Sequence, residues 1–283
     1  MIEKNYTKKI VCVLFLIIFI AAIFSYWWFF YKKELDSNAE NVPIQTEKIN
    51  LENKIPLLQK LKLNAGFSYD KNNERFFVST DTPHSLFRGK EAKIFILSKN
   101  LKKIKSEITI ESKQDFEGIV VIDEKTVKVI SDAGELYTIS VDSNEMKVIE
   151  SKNIFNGNKN HKIGSLAFDG KYLYTAEKEG KKIFYKISLD GEILDEFEIS
   201  NFQSPDLFTI AGMTFVDDNL YILSEAYSTI FKIDLEEKKL SESYSVLEMD
   251  ECSGLTSDGA LFYTVGDYEK YISNQYFYVF EIK

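Results

Sequence analysis

The sequence predicts an all-β fold: a five-bladed β-propeller closed by an N-terminal strand and preceded by one transmembrane helix. Three observations carry that expectation. One outline, an apolar run, a turn and an alternating run, returns five times between residues 54 and 283. The chain stops just after the third strand of its fifth unit, while an orphan strand, Ile55–Leu63, stands before the first unit. Near the start, 22 residues from Ile10 to Tyr31 carry no charge.

Residues 1–9 contain Lys4, Lys8 and Lys9 and read as a cytoplasmic tail. Residues 10–31 follow as the membrane helix; at 1.5 Å per residue they reach about 33 Å, one bilayer core. Trp27, Trp28 and Tyr31 mark an interface, and Lys32 and Lys33 close the run. The amino-terminal lysines favour an N-terminus inside the inner (plasma) membrane and a body on the periplasmic, extracytoplasmic side. A cleaved signal peptide is the alternative; against it, the run exceeds an ordinary apolar core and no small-x-small site ends it.

Residues 32–53, polar and nearly free of aromatics, read as a linker that lifts the body away. The whole chain is −9, but its first 33 residues are +4, which leaves −13 on the remainder. So acidic a body argues against nucleic acid as a partner. Cys252 is the one cysteine outside the apolar run that holds Cys12, so the body forms no intrachain disulfide.

Residues 54–283 hold the repeats. Phe95, Tyr137, Tyr185, Phe231 and Phe280 mark the third strand of each unit, 42, 48, 46 and 49 residues apart. Each lies in a period-two segment, as a strand with one aromatic-bearing face requires. Upstream in every unit a small residue precedes an apolar one: Gly66-Phe67, Gly118-Ile119, Ser165-Leu166, Gly212-Met213 and Gly254-Leu255. Such a residue at a strand start permits close backbone approach. Between these landmarks "ERFFVST", "KTVKVIS", "KYLYTAE", "NLYILSE" and "ALFYTVG" read as second strands, and a more polar fourth strand follows the aromatic one. Four strands in about 40–50 residues is the signature of a propeller blade. A solenoid would need polar caps, and the sequence shows none.

The second strands also align a column of acids: Asp81, Asp132, Glu177, Glu225 and Asp267, each after a small residue or threonine. In a propeller the loops after these strands and the starts of the innermost strands share one face. The five acids and Glu117 are therefore expected to rim one mouth of the channel. Carboxylates about 4 Å apart repel by about 4 kcal/mol at an effective dielectric near 20. They must spread into solvent as turn residues, take up protons, or hold a cation. Of cations, calcium suits an all-oxygen set of loose geometry.

Three segments, "AGFSYDKNNERFFVSTD", "DFEGIVVIDEKTVKVISDAGELYTIS" and "SGLTSDGALFYTVGD", resemble the SdiA-regulated (YjiK-like) family of bacterial proteins. The resemblance spans about residues 55–283. It implies a membrane anchor followed by a propeller facing away from the cytoplasm, and no reaction. The family pattern often places Glu before the Gly that opens a blade; here Glu117 keeps it, whereas Ala65, Gly164, Ala211 and Ser253 do not.

Signatures of other chemistry are missing. His84 and His161 have no ligand-type neighbour at zinc spacing, and there is no nucleophile elbow, phosphate loop or dinucleotide fingerprint. His84, beside Asp81, is read as surface or as a general base. Tyr268, Tyr271 and Tyr276 lie in a long fifth-blade stretch and form a candidate contact patch for an envelope protein or a glycan. Two functions follow: a module that binds a ligand, cation or partner at the acidic mouth, or a calcium-dependent lactonase- or esterase-like hydrolase using the same site.

Overall fold

Period-two alternation becomes strand in every repeat. The computed structural model describes residue 26 and residues 46–58, 60–61, 64–80, 91–111, 114–158, 160–178, 183–200, 209–224, 228–245, 252–266 and 276–282. It divides the chain into Met1–Val42 and Pro43–Lys283. In the first unit only Tyr26 is described, helical and exposed. The rest of the expected membrane helix lies outside the described residues, among which no helix is long and apolar enough to cross a membrane.

The second unit opens with β1 (Thr46–Lys48) and β2 (Leu51–Pro56). Blade 1 is β3 (Asn64–Asp70), β4 (Arg75–Thr80), β5 (Glu91–Ser98) and β6 (Ile104–Glu111). Blade 2 is β7 (Phe116–Asp123), β8 (Thr126–Ser131), β9 (Glu135–Asp142) and β10 (Glu145–Asn153). Blade 3 is β11 (Ile163–Phe168), β12 (Leu173–Glu177), β13 (Ile183–Ile187) and β14 (Ile193–Glu198). Blade 4 is β15 (Ile210–Val216), β16 (Asn219–Ser224), β17 (Thr229–Asp234) and β18 (Lys239–Ser245). Blade 5 has β19 (Cys252–Ser257), β20 (Phe262–Gly266) and β21 (Tyr276–Phe280).

Each blade is an antiparallel sheet with its strands in chain order, and the five innermost strands contact one another in a ring, β19 against β3 included. This is a five-bladed propeller. Burial follows from it. The second strands are covered by neighbouring blades on both faces, so β4 is buried at every position, while the outer β6 and β10 alternate between exposed and half-buried. The apolar clusters lie between blades: Phe77 and Ile94 of blade 1 meet Phe116 and Val129 of blade 2. Phe67 and Phe76 of blade 1 meet Val265 and Phe277 of blade 5.

The small residues do what their position predicted. A Cβ added to Gly66, Gly118, Gly212 or Gly254 would stand closer than 3.0 Å to the innermost strand of the next blade. At Gly254 that strand is β3, through Phe67. Close packing of innermost strands therefore has no room for a side chain at these points. Immediately beside them every innermost strand breaks register against its partner, as between Phe116 and Gly118 or Ile210 and Gly212. The extra residue in each bulge re-aims its side chain.

The leading strand differs in place from the expected Ile55–Leu63. Leu51–Pro56 is the segment that pairs antiparallel with β21, from Leu51 opposite Phe280 to Pro56 opposite Tyr276. Beyond Pro56 the chain turns, with the Leu61 N–H donating to the Leu58 carbonyl, and buries Leu61 among Phe67, Phe76 and Phe277. Leu58 and Leu61 are thus joined by a turn rather than continuing the strand. Upstream, Thr46–Lys48 lies parallel to β18 of blade 4. Part of the stretch read as linker is therefore sheet, since a strand edge is satisfied by main-chain bonds whatever the polarity of its side chains.

Candidate functional site at the channel mouth

Bulged Glu117 sits at the start of β7, 6% exposed. Its Oε1 accepts a hydrogen bond from Lys178 Nζ at 2.7 Å. Lys178 follows β12 directly, and its backbone is held on both sides: its N–H donates to the Lys162 carbonyl at 2.6 Å and its carbonyl accepts from the Ile210 N–H at 3.2 Å. Blade 3 thus reaches across to blade 2 while fastened to blade 4. Burial pushes the Glu117 carboxyl up to about 7; Lys178 pulls against this, and Asp132 and Asp115 add to it.

Asp132 follows β8. Its N–H donates to the Asp115 carbonyl and its carbonyl accepts from Ile163, both at 2.8 Å. One buried carboxylate oxygen, Oδ1, meets no hydrogen-bond partner among the described residues. Burial and the Asp115 charge raise its titration, partly offset by the N–H groups of Ala133 and Asp115. Among the described residues, Glu117, Asp132 and Asp115 thus bring three carboxyl groups to the mouth between blades 2 and 3, with the Lys178 ammonium.

Glu177, aligned with Asp132 in the sequence, is used differently. It accepts from His161 Nδ1 at 2.7 Å, from the Tyr185 hydroxyl at 2.9 Å and from the Lys162 N–H at 3.1 Å. With Nδ1 donating, His161 Nε2 is left to accept from Asn158 Nδ2 at 3.3 Å. The imidazole stacks on Phe155, centroids 3.9 Å apart. Burial and then Glu177 raise the Tyr185 hydroxyl above its ordinary value. His161 gave no sign of this in sequence, because its carboxylate partner lies on another strand; neither did Lys178.

Of the other expected residues, Asp81, Glu225, Asp267, Tyr268, Tyr271 and His84 lie outside the described residues. Tyr276 begins β21, half-buried opposite Pro56, with the Lys54 ammonium 6.0 Å from its ring. Among the described residues no three His, Cys, Asp or Glu side chains converge as a metal set.

At the opposite end of the channel a second acidic column occupies the turn after each innermost strand. Asp123 Oδ1 accepts from the Lys125 N–H, Asp169 Oδ1 from those of Lys171 and Tyr172, and Asp258 Oδ1 from those of Ala260 and Leu261. Asp70 accepts from Asn73 and from Arg75 Nε at 2.8 Å. Arg75, 5% exposed, also donates to the Ser143 and Glu124 carbonyls of blade 2.

No protein-family model and no curated protein matches the chain. Solved structures do. Glutaminyl cyclase of Myxococcus xanthus superposes with a TM-score of 0.62 at 12% identity, over 84% of this chain and 100% of that one. The PQQ-bound aldose sugar dehydrogenase of Streptomyces coelicolor gives 0.52 at 9% identity, over 84% and 99%. At such identities the likeness shows the propeller fold.

Proposed function

We propose that the chain is a membrane-anchored, extracytoplasmic propeller of the SdiA-regulated type that binds a cationic ligand at its channel mouth. The anchor rests on the uncharged run of residues 10–31 and its flanking lysines. The site rests on one observation above others: buried Glu117 is balanced by Lys178, while Asp132 beside it keeps a buried oxygen without a partner among the described residues. Among those residues acid exceeds base, and an unpaired buried acceptor favours a ligand that donates to it. An ammonium group supplies both charge and donors; calcium is the other cation an oxygen-only set accepts. Tyr268 and Tyr271 would add contacts to an envelope protein or glycan.

Titrating methylammonium and calcium against thermal unfolding of the full-length chain tests this. A midpoint rise that Asp132→Asn removes supports the site; no shift with either ion at millimolar concentration ends it.

The hydrolase reading has one observation in its favour. A carboxyl held near 7 beside an ammonium exchanges protons readily at neutral pH. Chelator-sensitive turnover of lactones or esters, abolished by Glu117→Gln, would make it the better reading.

A further inference from the structure

The innermost strand of a blade pairs on one side only, so its other edge faces the axis. In β11 the Asp169 N–H bonds the Tyr172 carbonyl, and in antiparallel pairing the next residue inward, Phe168 opposite Leu173, turns its N–H and C=O away from β12. Tyr69, Val121, Phe215 and Ser257 hold the same place in their blades, opposite Phe76, Val127, Leu220 and Phe262. Around these groups, at the end of the channel opposite Glu117, lies a cavity of about 140 Å³ walled by all five innermost strands.

Two of the five N–H groups are capped from the preceding blade. Tyr69 donates to Thr256 Oγ1 at 3.0 Å and Val121 to Ser68 Oγ at 3.2 Å. The capping residue stands just before the axial one in its own blade. By the same rotation, Val120 faces the N–H of Phe168 and Ala167 that of Phe215, and neither carries a hydroxyl. Three of the five N–H groups thus have no side-chain acceptor among the described residues, and two of these, on adjacent blades, face no hydroxyl at all, each beside an outward-turned carbonyl of its own residue. Phe168 and Phe215 are half-buried, and main-chain groups lining such a cavity need a partner, either water or a ligand.

We propose that this cavity binds a small uncharged amide, the N–H and C=O of which pair with the main chain of Phe168 and Phe215 as an added strand residue would. No acidic or basic side chain walls the cavity, and the turn aspartates around its rim disfavour an anion. A ligand with hydroxyls alone lacks the fixed alternation of donor and acceptor that one strand edge offers another. The site is independent of the acidic mouth.

The probe is N-acetylglycinamide, followed by saturation transfer on the full-length chain in detergent, with glycerol and acetate as comparisons. Val120→Thr with Ala167→Ser, small changes that supply the two missing hydroxyls, are expected to weaken binding about tenfold or more. Ala167→Ser alone should do part of this, and Glu117→Gln nothing. Equal binding by parent and double variant overturns the proposal, as does glycerol or acetate binding as tightly as the diamide, or no transfer to the diamide at all.

Discussion

The two ends of the channel both carry a recurring acid, and they use it in opposite ways. In the turns, Asp123, Asp169 and Asp258 direct an oxygen to main-chain N–H groups two or three residues ahead, a local bond that fixes the turn. At the mouth, Glu117 and Glu177 bond side chains distant in sequence, and Asp132 leaves one oxygen without a partner among the described residues. Recurrence alone therefore says little about function. What separates the ends is whether the carboxylate is satisfied within its own turn. A structural acid is; an acid available to a ligand is not.

Experiments that break or sharpen this contrast can be ranked by size. Arg75→Ala should cost the most, about 3–5 kcal/mol in urea unfolding, because it strands buried Asp70 and frees two carbonyls of the next blade. A loss under 1 kcal/mol would show the turn end to be as loosely held as the mouth.

Glu117→Gln comes next. The unfolded carboxyl releases its proton near 4.5 and the folded one near 7, so the folded state holds the extra proton between these values. Stability should therefore fall as pH rises from about 4.5 to 7, by about 3 kcal/mol in all. The variant should lose most of that fall, keeping the part that Asp132 contributes. Identical slopes would mean that Glu117 is ionised throughout.

Gly118→Ala, which drives a methyl group into the Leu166 backbone of blade 3, should cost about 1–3 kcal/mol by thermal unfolding. Asp258→Ala should cost least, about 1 kcal/mol. Burial opposes the Asp258 charge, but the Leu261 and Ala260 N–H groups and the Tyr263 hydroxyl outweigh it and hold its pKa low. Its contribution is complete above pH 3.8 and fades as pH falls below, so the gap between variant and parent should narrow on acidification.

Ring and blade were legible because their determinants are local. Aromatics such as Phe95 and Phe231 recur on strands buried between neighbours, and Gly118 or Gly212 appears wherever two backbones must touch. The turn acids are as regular in sequence, but an aspartate between two strands reads first as a break in alternation, whatever its bonds. Of the mouth, Glu117 stood out by sequence, but its partner Lys178 is supplied by blade 3. His161 and Glu177 are joined only once Ile163 pairs with Glu177 across two strands. Side-chain meetings of that kind depend on register, and a bulge at each strand start shifts the register by one residue. The leading strand differs from expectation for a related reason: Leu57, Leu58 and Leu61 have a strand's hydrophobicity, but a turn links Leu58 to Leu61.

The stretch from Thr46 to Pro56, which lies along the edges of blades 4 and 5, also sets a timetable for biosynthesis. These are the first strands of the unit to be made, yet Thr46 must wait for Ser243 and Leu51 for Phe280, which are made only after blades 1 to 3. Until then two strand edges have no partner, and closure is a slow, long-range event that cannot precede blades 4 and 5.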